Sequence, residues 1–162
     1  MPHYFAYGSN LWTGQMRARC PSAEVVACCS LPDWQLSFVQ PHERWGGGVA
    51  GIVRAPGERV LGMLYRLSEA DLRALDGHEP TARTDGYWRE EVEVELVGAA
   101  DAPPGARRSR CWVYIGAVHE GAPFAPSLRY LQTIVRGARE HGLPEDYIAW
   151  LQAEFPAHDA VS

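Results

Sequence analysis

The stretch Tyr4-Phe5-Ala6-Tyr7-Gly8-Ser9-Asn10-Leu11 sets an aromatic run directly against turn chemistry. Tyr4 to Tyr7 read as a short buried strand, because aromatic side chains suit a pleated surface, and Gly8-Ser9-Asn10 stops it. A strand ending this way exposes main chain. Glycine tolerates positive φ and lets a ligand approach the backbone, while Ser9 and Asn10 add a hydroxyl and an amide beside the amide N–H groups. Such a loop suits an oxyanion or a carboxylate. The plainer alternative is a tight turn into a first helix, with Ser9 or Asn10 as its N-cap.

Outward from this loop, Leu11 to Cys20 has the composition of one short helix, ended by Pro21. Ala23 to Cys29 and Trp34 to Val39 read as two strands separated by a turn at Ser30-Leu31-Pro32-Asp33. Val49 to Val53 and Val60 to Tyr65 are likewise separated by Ala55-Pro56-Gly57-Glu58. Gly46-Gly47-Gly48 lacks the Lys-Ser/Thr ending of a phosphate loop and the strand-to-helix context of a dinucleotide site, so it reads as a bend. Ser68, followed by Asp71, caps a helix whose stripe includes Leu67, Leu72 and Leu75, and Asp76-Gly77 is expected to stop it. His78, Glu79 and Pro80 then fall just past its carboxyl end. From Tyr87 to Val97 the chain alternates, with Val92, Val94 and Leu96 on one face and Glu91, Glu93 and Glu95 on the other.

Cys111 to Ile115 is another apolar strand. Ser127 caps a helix from Leu128 to His141, Gly142 closes it, and Pro144 opens a second from Glu145 to Glu154. Six or seven strands joined by turns too short for parallel crossovers predict an α+β domain. Its sheet is expected to be largely antiparallel and barrel-like, with helices at the margins.

At 162 residues and 18.0 kDa, one domain spanning 1–162 is expected, burying roughly two-thirds of its unfolded surface. The net charge is −5, and basic residues are scattered apart from Arg107, Arg108 and Arg110. That group follows the loop-like Asp101-Ala102-Pro103-Pro104-Gly105-Ala106 and reads as its solvating charge, so nucleic acid is not an expected partner. Cysteines occur at 20, 28, 29 and 111 with no C-x-x-C and no histidines at zinc spacing, which argues for reduced thiols in a cytoplasmic protein and against a metal site. No apolar run of membrane-spanning length and no secretory leader are visible.

Glu79 is the sharpest candidate for chemistry, since a carboxylate at a helix-to-loop break beside Pro80 can be held at a pocket. The competing reading is a solvated loop charge. His78 competes as a general base, because histidine titrates near neutrality; His119 reads as a loop residue and His141 as a cation at a helix C-terminus. Ser9 lacks the second glycine of a nucleophile elbow, so a backbone-binding role suits its loop better. Tyr7, Tyr87 and Tyr130 read as packed aromatics whose phenols can each direct one hydrogen bond into an apolar site.

Together these pieces resemble the gamma-glutamylcyclotransferase family over nearly the full chain. The matching stretches are Tyr4 to Leu11; Trp45-Gly46-Gly47-Gly48-Val49-Ala50 with Pro56 to Gly62; Leu75-Asp76-Gly77-His78-Glu79 before Tyr87; Pro126 to Tyr130; and Gly137 to Tyr147. The resemblance implies a small mixed barrel and intramolecular attack of a γ-glutamyl α-amine on its own γ-amide carbonyl, releasing 5-oxoproline and an amine or amino acid. It implies no metal or organic cofactor. By motif position Glu79 is the implied general acid/base, and Tyr4, Phe5, Ala6, Tyr7, Gly8, Ser9, Asn10, Tyr87 and Tyr130 are the implied substrate-binding set. Pro80 stands where the family more often has Gly, and the stretch from Glu79 to Tyr87 is slightly longer than in familiar members.

The expected partner is a small γ-glutamyl substrate, with a homodimer left open and neither nucleic acid nor membrane. Two other readings stay open at this point: removal of a γ-glutamyl protecting group from a biosynthetic intermediate, and a non-catalytic module that binds γ-glutamyl compounds.

Overall fold

Two long strands, β2 (Glu24–His42) and β3 (Gly47–Arg66), form one antiparallel hairpin around which the other elements are arranged. The computed structural model describes residues 1–78, 86–97 and 107–158, with His78 described for its backbone alone. β1 (His3–Ala6) lies antiparallel to β3, with Phe5 opposite Leu64. On its other side β1 runs parallel to β5 (Arg108–Gly116), Tyr4 facing Trp112. β4 (Tyr87–Leu96) pairs antiparallel with β5 and meets β2 at Cys29 and Ser30. Among the described residues this closes a mixed five-stranded barrel in the order β1-β3-β2-β4-β5.

The strand number differs from the sequence expectation for a local reason. Both Ser30-Leu31-Pro32-Asp33 and Ala55-Pro56-Gly57-Glu58 carry turn chemistry, but neither reverses the chain. Pro32 faces Arg59 and Trp34 faces Arg54, so the two irregular segments sit opposite each other in one ladder. Asp33 at φ 68 and Gly57 at φ 85 form a paired bulge, and the Gly57 N–H donates to Asp33 Oδ1 at 3.0 Å. The reversal comes instead at His42–Gly46, where the Gly46 N–H donates to the His42 carbonyl at 2.9 Å. Gly47 and Gly48 already belong to β3.

The expected first helix also divides. A 3-10 turn over Ser9–Leu11 precedes α1 (Thr13–Arg19), with Trp12 extended between them. Ser68 Oγ accepts the Asp71 N–H at 3.0 Å as expected of a cap. However, α2 (Glu69–His78) runs through Asp76-Gly77 instead of stopping there. Asp76 is held from the barrel side by Arg89 (2.6 and 3.0 Å) and by the Tyr114 hydroxyl (2.6 Å). Those tertiary bonds override the local stop signal. Likewise Arg108 and Arg110 lie on β5 and face glutamates of β4, Arg110 to Glu91 at 2.5 Å and Arg108 to Glu93 at 3.3 Å, instead of solvating a loop. Glu79, Pro80 and the Asp101–Ala106 segment lie outside the described residues.

α3 (Leu128–Glu140) is capped by Ser127, whose Oγ accepts from the Tyr130 N–H at 3.2 Å. It closes with Leu143 N–H to Ala138 carbonyl (2.9 Å) and Gly142 N–H to Arg139 carbonyl (3.1 Å), around Gly142 at φ 72. α4 (Glu145–Glu154) follows Pro144. Ile134 of α3, Ile148 of α4 and Phe38 of β2 are fully buried, as are Phe5, Leu36, Ile52 and Leu64 of the strands. Each such side chain contributes about 1.5–3 kcal/mol through removal from water.

Candidate active site

A cavity of about 170 Å³ opens where β1 ends in Gly8-Ser9-Asn10. Its walls draw on β1, the β2–β3 turn, β3, the end of α2, β4, β5 and α3, through residues including Tyr4, Gln40, Ala50, Gly77, Tyr87, Tyr114 and Tyr130. No Asp or Glu is among the described residues lining it.

Four phenols are fixed by main-chain or carboxylate bonds. Tyr7 Oη donates to the Tyr114 carbonyl at 2.6 Å and Tyr87 Oη to the Ala50 carbonyl at 2.7 Å. The Ala50 N–H donates to Tyr130 Oη at 2.9 Å, which turns the Tyr130 hydroxyl proton into a donor directed elsewhere. Tyr114 Oη donates to Asp76 Oδ1. Burial, then that hydrogen bond, pushes the Tyr114 phenol far above its ordinary pKa, so it stays a proton donor. Each tyrosine is thus a fixed dipole in the cavity wall.

The loop itself is braced from two sides. Leu11 N–H returns to the Gly8 carbonyl (3.0 Å) and Trp12 N–H to the Ser9 carbonyl (3.1 Å), so the N–H groups of Ser9 and Asn10 precede the first bond of the 3-10 turn. Neither Ser9 nor Asn10 is an N-cap; Gly8 holds that place without a side-chain bond. Gln15 of α1 donates to Ser9 Oγ (2.6 Å) and Asn10 Oδ1 (3.0 Å), and Arg19 donates to Asn10 Oδ1 (3.1 Å). Asn10 Nδ2 in turn donates to Tyr4 Oη at 3.1 Å. Asn10 is therefore the hub that fastens the loop to α1 and β1.

From the other side, α3 packs on the loop through Gly137, where a Cβ would lie 2.3 Å from Trp12 N. His141, expected only as a C-terminal cation, places Nε2 2.9 Å from the Leu11 carbonyl, an arrangement in which Nε2 carries the proton that it donates.

Gly8 has φ −109, so positive φ is not what the position demands. Space is the requirement. A Cβ there would lie 3.4 Å from Ala50 Cβ and 3.6 Å from Tyr130 Oη, and anything larger would project into the cavity.

Of the residues expected in a binding set, the structure brings Tyr4, Tyr7, Gly8, Ser9, Asn10, Tyr87 and Tyr130 around one cavity. Phe5 and Ala6 are fully buried in β1 against β3 and do not line it. Glu79 lies outside the described residues, as does the His78 side chain, while Gly77 lines the cavity. Sequence reasoning missed Arg19, Gln40, His42, Arg44 and Tyr114. The continuous apolar run from Cys111 to Ile115 carried no signal that set Tyr114 apart from its neighbours. Burial, then Arg44 and Arg19, lowers the His42 pKa, so its imidazole is neutral at neutral pH.

The chain matches the AIG2-like family over residues 59–151. A gamma-glutamylcyclotransferase of Mus musculus is 34% identical over 157 residues, covering 94% of this chain and 78% of the relative. One of Homo sapiens matches at the same identity and coverage, 34% over 157 residues. A solved structure of a gamma-glutamyl cyclotransferase superposes with a TM-score of 0.86 at 30% identity, covering 99% of this chain and 91% of that one. With its barrel, its Gly8-Ser9-Asn10 loop and a match of this length, the chain belongs to the gamma-glutamylcyclotransferase family.

Proposed function

We propose that this protein cyclises γ-glutamyl amino acids or amines to 5-oxoproline and the free amino acid or amine. The observation that carries the reading is the braced loop. Gly8-Ser9-Asn10 lines a cavity ringed by oriented phenols, and the Ser9 and Asn10 N–H groups precede the first bond of its 3-10 turn, an arrangement that can hold the substrate carboxylate or the oxyanion formed as the amine attacks.

The proton count defines the remaining need. An α-ammonium that becomes a lactam N–H sheds two protons, and the amide nitrogen that leaves as an ammonium gains two. One carboxylate can carry them singly, first as base toward the attacking nitrogen and then as acid toward the leaving nitrogen. We assign this shuttle to Glu79. Gly77 and Tyr87 both lie on the cavity wall, and Glu79 falls between them in the chain. The cycle of proton transfers needs neither metal nor organic cofactor. In the same reading, residues 1–162 form one catalytic domain that works in the cytoplasm, where its unpaired Cys20, Cys28, Cys29 and Cys111 stay reduced. Among the described residues no helix is long and apolar enough to cross a membrane. The homodimer belongs to the same proposal, and sedimentation velocity reads it.

The test is release of 5-oxoproline from a panel of γ-glutamyl amino acids and amines. A binding module releases none, and a dedicated deprotecting enzyme ignores simple dipeptides. Gly8→Val probes the loop directly. Its branched side chain would fill space beside Ala50 and Tyr130, so the variant is expected to fold but give no heat on titration with 5-oxoproline. Unchanged affinity in a folded Gly8→Val protein would remove the loop from the site.

A further inference from the structure

We propose that Arg44, with the His42 imidazole beside it, binds a carboxylate on the leaving group, so that the enzyme selects γ-glutamyl amino acids over γ-glutamyl amines of the same shape. This rests on the cyclotransferase reading above. A γ-glutamyl amino acid carries two carboxylates, one on the glutamyl carbon and one on the group that departs. The loop amides can serve one of them, and the second requires its own receptor.

The cavity supplies one. Its ionisable lining beyond the tyrosines is Arg19, His42 and Arg44, with no Asp or Glu among the described lining residues, although the chain as a whole carries a net −5. Arg19 is already engaged with Asn10 Oδ1. Arg44 is exposed at the β2–β3 turn, and among the described residues its guanidinium makes no hydrogen bond or ion pair. Its backbone, by contrast, is fastened: the Arg44 carbonyl accepts from Arg129 Nη2 at 2.5 Å, and the Arg129 guanidinium lies 4.7 Å from the Trp45 ring centre. A charged head on an anchored turn is suited to planar, bidentate recognition of a carboxylate.

His42 offers a second group. Its Nδ1 is buried with no hydrogen-bond partner among the described residues, a state that costs free energy until a ligand satisfies it. Since burial and the two arginines keep this imidazole neutral, it adds a directed hydrogen-bonding group without adding charge. The position at an exposed turn also fits a group that must depart after each turnover.

The experiment compares γ-glutamylalanine with γ-glutamylethylamide, whose leaving groups differ only by the carboxylate, in the wild type, Arg44→Gln and Arg44→Lys. The wild type is expected to favour the alanine substrate in kcat/KM by about 10-fold or more, mainly through KM, since a charge-assisted bidentate contact has that order of worth. Arg44→Gln should collapse this ratio toward one, and Arg44→Lys should restore part of it. A wild-type ratio near one, or a Gln variant that loses both activities in equal proportion, overturns the proposal while leaving the cyclotransferase reading intact. Failure of the wild type to release 5-oxoproline from either compound overturns both.

Discussion

Glu79→Gln is expected to lower kcat by about 10²-fold or more while the affinity for 5-oxoproline changes little, the signature of a group needed for proton transfer. The amide keeps the size and most of the hydrogen bonding of the acid but cannot accept the amine's proton. No Asp or Glu is among the described residues lining the cavity, and the wall residue Gly77 precedes Glu79 by two positions. His78→Ala should cost much less. Steady-state rates for both variants, taken with melting curves to exclude unfolding, decide the assignment. If the Gln variant keeps most of its turnover and the His78 variant loses it, the shuttle is the histidine.

Gly137→Ala is expected to destabilise the protein and to lower kcat/KM together. In an ordinary helix interior this change gains up to about 1 kcal/mol, because alanine loses less backbone freedom on folding. Here the added methyl would lie 2.3 Å from Trp12 N, 2.4 Å from the Leu11 carbonyl carbon and 2.6 Å from Leu11 Cβ. Two of these three atoms are backbone, so α3 or the loop must move. Overpacking of this kind costs about 1–3 kcal/mol, and the element displaced is the one that presents Ser9 and Asn10 to the cavity. Urea unfolding and kcat/KM provide the two readouts. A more stable variant with unchanged kinetics would show that α3 does not hold the loop.

The loop was legible in the sequence because its signal is local. An aromatic strand running into Gly8-Ser9-Asn10 needs no tertiary information to be read as a strand end and turn, although the structure buries Ser9 and Asn10 at the cavity wall. The caps at Ser68 and Ser127 were legible for the same reason, each bond spanning three residues. The long hairpin was not. Asp33 and Gly57 are both genuine chain-bending positions, and only their placement opposite each other turns two expected turns into one bulge. The end of α2 misled in the same way, since Asp76 is held by Arg89 and Tyr114, residues 13 and 38 positions away. The rim of Arg19, His42 and Arg44 was unreadable because its members, from α1, the end of β2 and the β2–β3 turn, come to one cavity only in the folded chain. Phe5 and Ala6 show the converse. They stand inside the motif, but as adjacent strand residues they point to opposite faces of β1, both of which are covered, so both are fully buried.

Isotope tracing tests the central claim of intramolecular aminolysis most directly. A γ-glutamyl amino acid carrying heavy nitrogen in its α-amine would be turned over in water enriched in heavy oxygen, and the products weighed by mass spectrometry. 5-Oxoproline is expected to retain the nitrogen label and to contain no solvent oxygen, since the γ-carbonyl keeps its oxygen when nitrogen attacks. Glutamate bearing solvent oxygen at its γ-carboxylate would show hydrolysis instead and would contradict that claim.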